Sequence, residues 1–118
     1  MQTYLEQTRQ LFLNQYIDEF RSGNNIVAQG RIQDFIEDVA QEGLLLTQFD
    51  WADWYQNSHL VDRPEYIASA SRYECMLLLT AMTRLERFSP GVLDNMRRKG
   101  VLIAIIERLQ TLNKQKPC

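Results

Sequence analysis

Histidine and cysteine are scarce in this sequence: His59 is the single histidine of 118 residues, and Cys75 and Cys118 are the two cysteines. Metal centres draw several His, Cys or carboxylate ligands at short spacing. No such cluster is visible, so neither a metal nor a cofactor is expected. Two cysteines, one of them the last residue, exclude a disulfide framework. Cys75 sits in an apolar helical run and reads as a small buried hydrophobe rather than a nucleophile. Long apolar runs are missing as well. The longest, Cys75 to Leu79 and Val101 to Ile106, fall far short of the roughly 18 to 20 residues that span a bilayer. No membrane partner is expected. The first residues, Met1 to Glu6, have neither a basic segment nor an apolar one, so a secretory signal is not expected and a cytoplasmic setting is. There is no P-loop, no Gly-x-Ser-x-Gly elbow and no Cys/His pairing at short spacing. Asp50, Asp53 and Glu86 are available carboxylates, but no pattern pairs them for acid/base work. The expectation is a protein with no catalytic residues, not an enzyme.

What is present is ordinary globular material, 45% apolar and 24% charged, at a length typical of one domain with one core. The net charge of -2 hides an asymmetry. Up to Asp62 three basic residues face ten acidic ones, about -7; from Arg63 onward ten basic residues face five acidic ones, about +5. Either the halves pack together and neutralise each other, or a dipolar surface meets a partner or a second copy through one charged face.

The apolar spacing is helical throughout, and predicts an all-α, compact single-domain bundle of about five helices over residues 1–112, with a frayed tail at 113–118. Thr3 and Glu6 form a capping box for a first helix whose apolar face is Leu5, Phe12, Leu13, Tyr16, Ile17 and Phe20, ended near Arg21 by Ser22-Gly23-Asn24-Asn25. Ile32, Phe35, Ile36 and Val39 mark a second helix, with Gly43 placed for a left-handed C-cap before Leu44-Leu45-Leu46. Asp50 caps a short helix carrying Trp51 and Trp54 on one face. Asn57 to Arg63 is a polar stretch, and Pro64 opens another short helix through Ala68. Ser71 and Glu74 are a second capping box, opening a helix from Arg72 to Phe88. Ser89 and Pro90 then read as N-cap and first residue of the next helix, which ends at Gly100. A final helix, Val101 to Leu112, is largely buried. The helix, glycine and apolar re-entry around Gly43 repeat around Gly100, as a shared capping solution.

Two constellations carry possible chemistry. Thr80, Arg84 and Arg87 fall at i, i+4 and i+7 on one stripe of the long helix, bordering the core. Arginine there can bury its stem and fork its guanidinium onto a carboxylate, a phosphate or a carbonyl. The first expectation is a structural latch, with Arg84 and Arg87 tied to Asp50 or Asp53; the alternative is an open binding pocket walled by Trp51, Trp54 or Tyr55. The second constellation is the basic run Arg97-Arg98-Lys99, with Arg87 and Arg108 as possible neighbours, which would attract a nucleic-acid backbone. The same residues suit the negative end of a helix dipole, and no nucleic-acid motif accompanies them.

Several of these elements occur together: Tyr16 to Phe20; Phe49-Asp50-Trp51 with Trp54; Thr80-Ala81 with Arg84, Arg87-Phe88 and Gly91; Gly100; and Ile106-Glu107-Arg108-Leu109. In this arrangement the chain resembles an uncharacterised prokaryotic family of small helical domains of unknown function. The most specific part is Thr-Ala-x-x-Arg-x-x-Arg-Phe-x-x-Gly. The resemblance implies a helical domain, and it assigns no activity, substrate or cofactor. The working expectation is a non-catalytic protein-interaction or regulatory domain, with a protein partner or a homodimer. Small-ligand or anion binding at an arginine-lined pocket comes second, and nucleic-acid binding third.

Overall fold

A computed structural model describes residues 14–21 and 30–114. Thr3, Glu6, Leu5, Phe12, Leu13 and the turn at Ser22 to Asn25 lie outside those residues. Residues 14–21 are helical (α1). They are followed by α2 (Ile32–Gln41), α3 (Trp51–Asn57), two 3-10 helices (Ser58–Val61 and Pro64–Ser69), α4 (Arg72–Phe88), α5 (Val92–Arg98) and α6 (Val101–Lys114). The fold is all-α, with no strand among the described residues. The described residues hold six α-helices and two 3-10 helices, against about five helices expected.

The caps explain where the helices begin and end. The Ser71 side chain accepts from the Glu74 backbone N–H at 3.1 Å, and the Glu74 carboxylate accepts from the Ser71 N–H at 3.1 Å. This reciprocal box satisfies two donors that the first turn of α4 leaves open. Asp50 does the same for α3, accepting from Ala52 N–H at 2.9 Å. At the end of α2, Gly43 takes φ +71, and its N–H bonds Ala40 O while the Leu44 N–H bonds Val39 O. Those two bonds close a Schellman motif, whose apolar contact is supplied by Val39 and Leu44, both buried. Gly100 repeats the left-handed turn after α5, with its N–H on Arg97 O.

The core lies on α4 and α6. Leu77, Leu78, Ala81 and Met82 of α4 and Val101, Leu102 and Ile105 of α6 have no exposed surface. Against α6 pack the Pro64–Ser69 turn, α5 and α4, and α3 lies on α4. The stretch after Asn57 is less polar than its composition suggests: Leu60 and Val61 are buried, because the 3-10 turn brings both inward. Tyr16, Phe20 and Phe35 form an aromatic cluster with centroids 5.1 to 5.5 Å apart, in which Phe35 meets both other rings edge-on and Tyr16 and Phe20 are tilted. It joins α1 to α2, where the Tyr16 hydroxyl donates to Asp38 at 2.6 Å. Beside it the Arg31 guanidinium lies over the Tyr16 ring and pairs with Glu19 and Asp34.

Two boundaries differ from expectation. Asn113 and Lys114 still belong to α6, so the helix outlasts the predicted start of the tail; residues 115–118 lie outside the described part. The corner between α4 and α5 is also built differently. Ser89 closes α4, its N–H on Leu85 O at 2.9 Å, and α5 starts at Val92 with Gly91, at φ +103, as its N-cap. Gly91 has no side chain with which to cap, and Glu86 fills that role from the preceding helix. Its two carboxylate oxygens accept from Gly91 N–H at 3.0 Å and Leu93 N–H at 2.9 Å. An acidic residue in the last turn of a helix opposes the dipole of its own helix. That misfit was the sequence signal for a job on the next one.

Candidate functional site

Thr80, Arg84 and Arg87 leave α4 in one direction and end in different surroundings. Thr80 is buried and is a true latch. Its hydroxyl donates to Met76 O at 2.7 Å and accepts from the Leu46 N–H at 2.8 Å. The connection between α2 and α3 is thereby stitched to the middle of α4, and Leu45 and Leu46 are held beside it.

The two arginines have no carboxylate latch among the described residues. Asp50 is spent on the α3 cap, and Asp53 accepts from the Tyr73 hydroxyl at 2.8 Å, a bond that also raises the Tyr73 pKa. The expected ties from Arg84 and Arg87 to these two aspartates are therefore absent. Arg84 and Arg87 are both exposed, and neither has an ion pair with a carboxylate among the described residues. The Arg84 guanidinium stacks over the Phe49 ring, 5.0 Å from its centroid, and Phe49 meets Trp51 edge-on at 4.7 Å. Such stacking orients the fork while leaving its N–H groups open.

Both arginines line an open cleft of about 370 Å³, whose walls are Leu45, Leu46, Trp51, Thr80, Thr83 and Phe88. Phe88, which the sequence pattern assigns to a helix corner, is 84% exposed at its rim. The two tryptophans separate: Trp51 lines the cleft, while Trp54 is buried in the core. Tyr55 is exposed and is not a wall of this cleft. A second cleft of about 360 Å³ is lined by Gln33, Ile36, Thr83, Glu86 and Arg87. Thr83 and Arg87 are thus common to both.

The basic run has a different fate. Arg97 is buried and pairs with Asp94 at 2.8 Å, Arg98 pairs with the same carboxylate at 3.0 Å, and Lys99 lies 3.9 Å from Asp62. Arg108 donates to Ala70 O at 2.7 Å. These cations serve helix ends and turns, and Arg98 and Lys99 remain exposed. Ion pairs between the two halves of the chain include Arg21 with Glu107 at 2.6 Å and Lys99 with Asp62. The first runs against the sense of the charge asymmetry and the second is long and exposed. Direct pairing of this kind does little to neutralise the halves.

Cys75 is buried, and burial pushes its thiol up to about 11, which leaves little thiolate at neutral pH. Among the described residues no group of three or more His, Cys, Asp or Glu is arranged to hold a metal ion. No helix of the described residues is long and apolar enough to cross a membrane.

Comparison with known families gives one match: residues 5–115 fit the model of a family of unknown function, DUF6508. No curated protein and no solved structure matches the chain. With nearly its whole length covered, the chain belongs to that family.

Proposed function

Starting from a chain whose family has no assigned activity, we propose that this domain is a non-catalytic protein-interaction domain of the cytoplasm, and that its partner docks on the cleft of Arg84 and Arg87. One observation carries the reading: two exposed arginines, without carboxylate partners among the described residues, stand beside the exposed Phe88 in the last turns of α4. With no carboxylate holding them among the described residues, the two guanidinium groups keep N–H donors for a partner, and Phe88 with Leu45, Leu46 and Trp51 adds apolar surface beside them. Arginine and aromatic residues are also the types that dominate binding energy at protein interfaces.

A second reading has a specific observation in its favour. The cleft volume lies within the range of about 300 to 1,000 Å³ typical of small-molecule sites, so a small anion could occupy it alone. Nucleic-acid binding stays third: Arg97 is buried on Asp94, while Arg98 and Lys99 are exposed beside carboxylates.

Affinity capture from the native host tests the proposal, with the wild-type domain beside Arg84→Glu/Arg87→Glu and Phe88→Ala. The expected result is a partner retained by the wild type and lost by both variants, with melting temperatures close to that of the wild type. Retention by both variants would refute the docking site. A small anion such as citrate or phosphate that gives a large thermal shift, with no protein retained, would favour the second reading instead.

A further inference from the structure

We infer that the occupant of this site is an extended acidic segment of a partner protein, laid across α4 at Arg87. The inference rests on the docking site proposed above and names what that site reads. Thr83 and Arg87 belong to both clefts, so the clefts adjoin across α4 and one extended segment passing over these two side chains would enter both. One cleft is walled by Leu45, Leu46 and Trp51, the other by Gln33 and Ile36 of α2. A helix with its side chains is about 10–12 Å across. An extended chain advancing about 3.3 Å per residue therefore needs roughly four residues to cross it and about six to fill both clefts.

The chemistry along this path sets a register. Arg84 lines the first cleft only, and Arg87 lines both. Residues three apart on a helix have Cβ atoms about 5–6 Å from each other. That is close to the roughly 6.6 Å between side chains i and i+2 on one face of an extended segment. Two acidic residues separated by one position would therefore meet the two guanidinium groups together, each through charge-assisted hydrogen bonds. The next inward-facing side chain, two residues further on, arrives over Ile36. Glu86 stands there too, with both oxygens already engaged by the backbone of the helix corner. A third acid would be repelled at that position and an apolar side chain favoured. The recognised pattern is acid-x-acid-x-apolar.

Fluorescence anisotropy with a labelled, end-blocked peptide containing Glu-Ser-Glu-Ser-Leu tests this directly. The wild-type domain should bind it more tightly at low salt than at high salt. Arg87→Glu, or exchange of the peptide leucine for aspartate, should weaken binding by about tenfold or more. Gln33 is exposed on α2, so Gln33→Lys is not expected to disturb folding. It should raise affinity for the aspartate peptide by a clearly larger factor than for the leucine peptide. If the leucine exchange has no effect, or citrate competes as well as the peptide does, the extended-segment inference is overturned while the arginine cleft remains a site. If neither peptide nor citrate binds, and Arg84→Glu/Arg87→Glu also leaves the captured partner in place, the underlying reading fails with it. A salt-sensitive self-association in sedimentation that disappears in Arg87→Glu would replace the partner segment by a second copy of this chain, and so overturn the inference.

Discussion

Replacing Thr80 by valine preserves shape and removes one hydroxyl, and the structure sets what that should cost. The hydroxyl is buried and holds two bonds at once, to Met76 O and from the Leu46 N–H. The carbonyl keeps an acceptor role within its helix, but the Leu46 N–H loses its partner in a partly buried place. An unsatisfied donor of that kind costs about 1–3 kcal/mol. For a chain of this length each kcal/mol moves the melting temperature by roughly 3–6 °C. Thr80→Val is therefore expected to lower it by about 6–12 °C, taking about 2 kcal/mol as the centre of that range. Thr80→Ser keeps the hydroxyl and loses a methyl group, which costs about 1 kcal/mol. Thermal unfolding followed by circular dichroism measures both, and amide hydrogen exchange at Leu46 reads the bond itself. Faster exchange at Leu46 should appear in the valine variant and not in the serine one. Since Leu45 and Leu46 wall the arginine cleft, loosening them should also weaken binding there. A valine variant at least as stable as the serine variant would refute the reasoning.

Two further expectations follow from interactions distant in sequence. Glu86→Ala removes the acceptor for the Gly91 and Leu93 N–H groups and should cost about 1–2 kcal/mol, the upper part of the range for a lost helix cap; urea denaturation showing no loss would mean that water replaces the carboxylate. Tyr16 is buried and donates to Asp38, and burial with this bond raises its pKa well above the ordinary 10.0. The folded state then holds a proton that the unfolded chain releases, so stability is constant below about pH 10 on this account and falls as pH rises beyond it. In urea titrations between pH 9 and pH 11, Tyr16→Phe should be less stable than wild type at pH 9 and should show a shallower decline. Equal slopes would exclude Tyr16 as the group responsible.

Much of this fold is legible in short stretches of sequence. Ser71 with Glu74, Asp50 before Trp51, and Gly43 after Gln41 set helix ends through backbone geometry and bonds that reach two to five residues, and residues within that reach are visible in sequence. The bounds of α4 follow for the same reason. The apolar spacing of Phe35 and Val39, and of Val101, Leu102, Ile105, Ile106 and Leu109, identifies inward faces because helical periodicity alone decides them. The stretch from Thr80 to Phe88 likewise announces itself as chemically dense, and family membership agrees with a resemblance read from those residues.

The tertiary structure decided what that density means. Thr80 finds its partner 34 residues earlier at Leu46, and Glu86 crosses a corner to Leu93. Arg84 meets Phe49 rather than Asp50 or Asp53. Trp51 and Trp54, three residues apart, part into a cleft wall and a core residue. Whether a cation reaches a carboxylate depends on how helices cross and on what else claims that carboxylate. Asp50 was claimed by its own helix and Asp53 by Tyr73, contacts that no periodicity encodes. The sequence by itself determined most of the helix ends and inward faces, because these depend on neighbours along the chain. Only the packing of α2, α3 and α4 left Arg84 and Arg87 open to solvent, turning an expected latch into a candidate binding cleft.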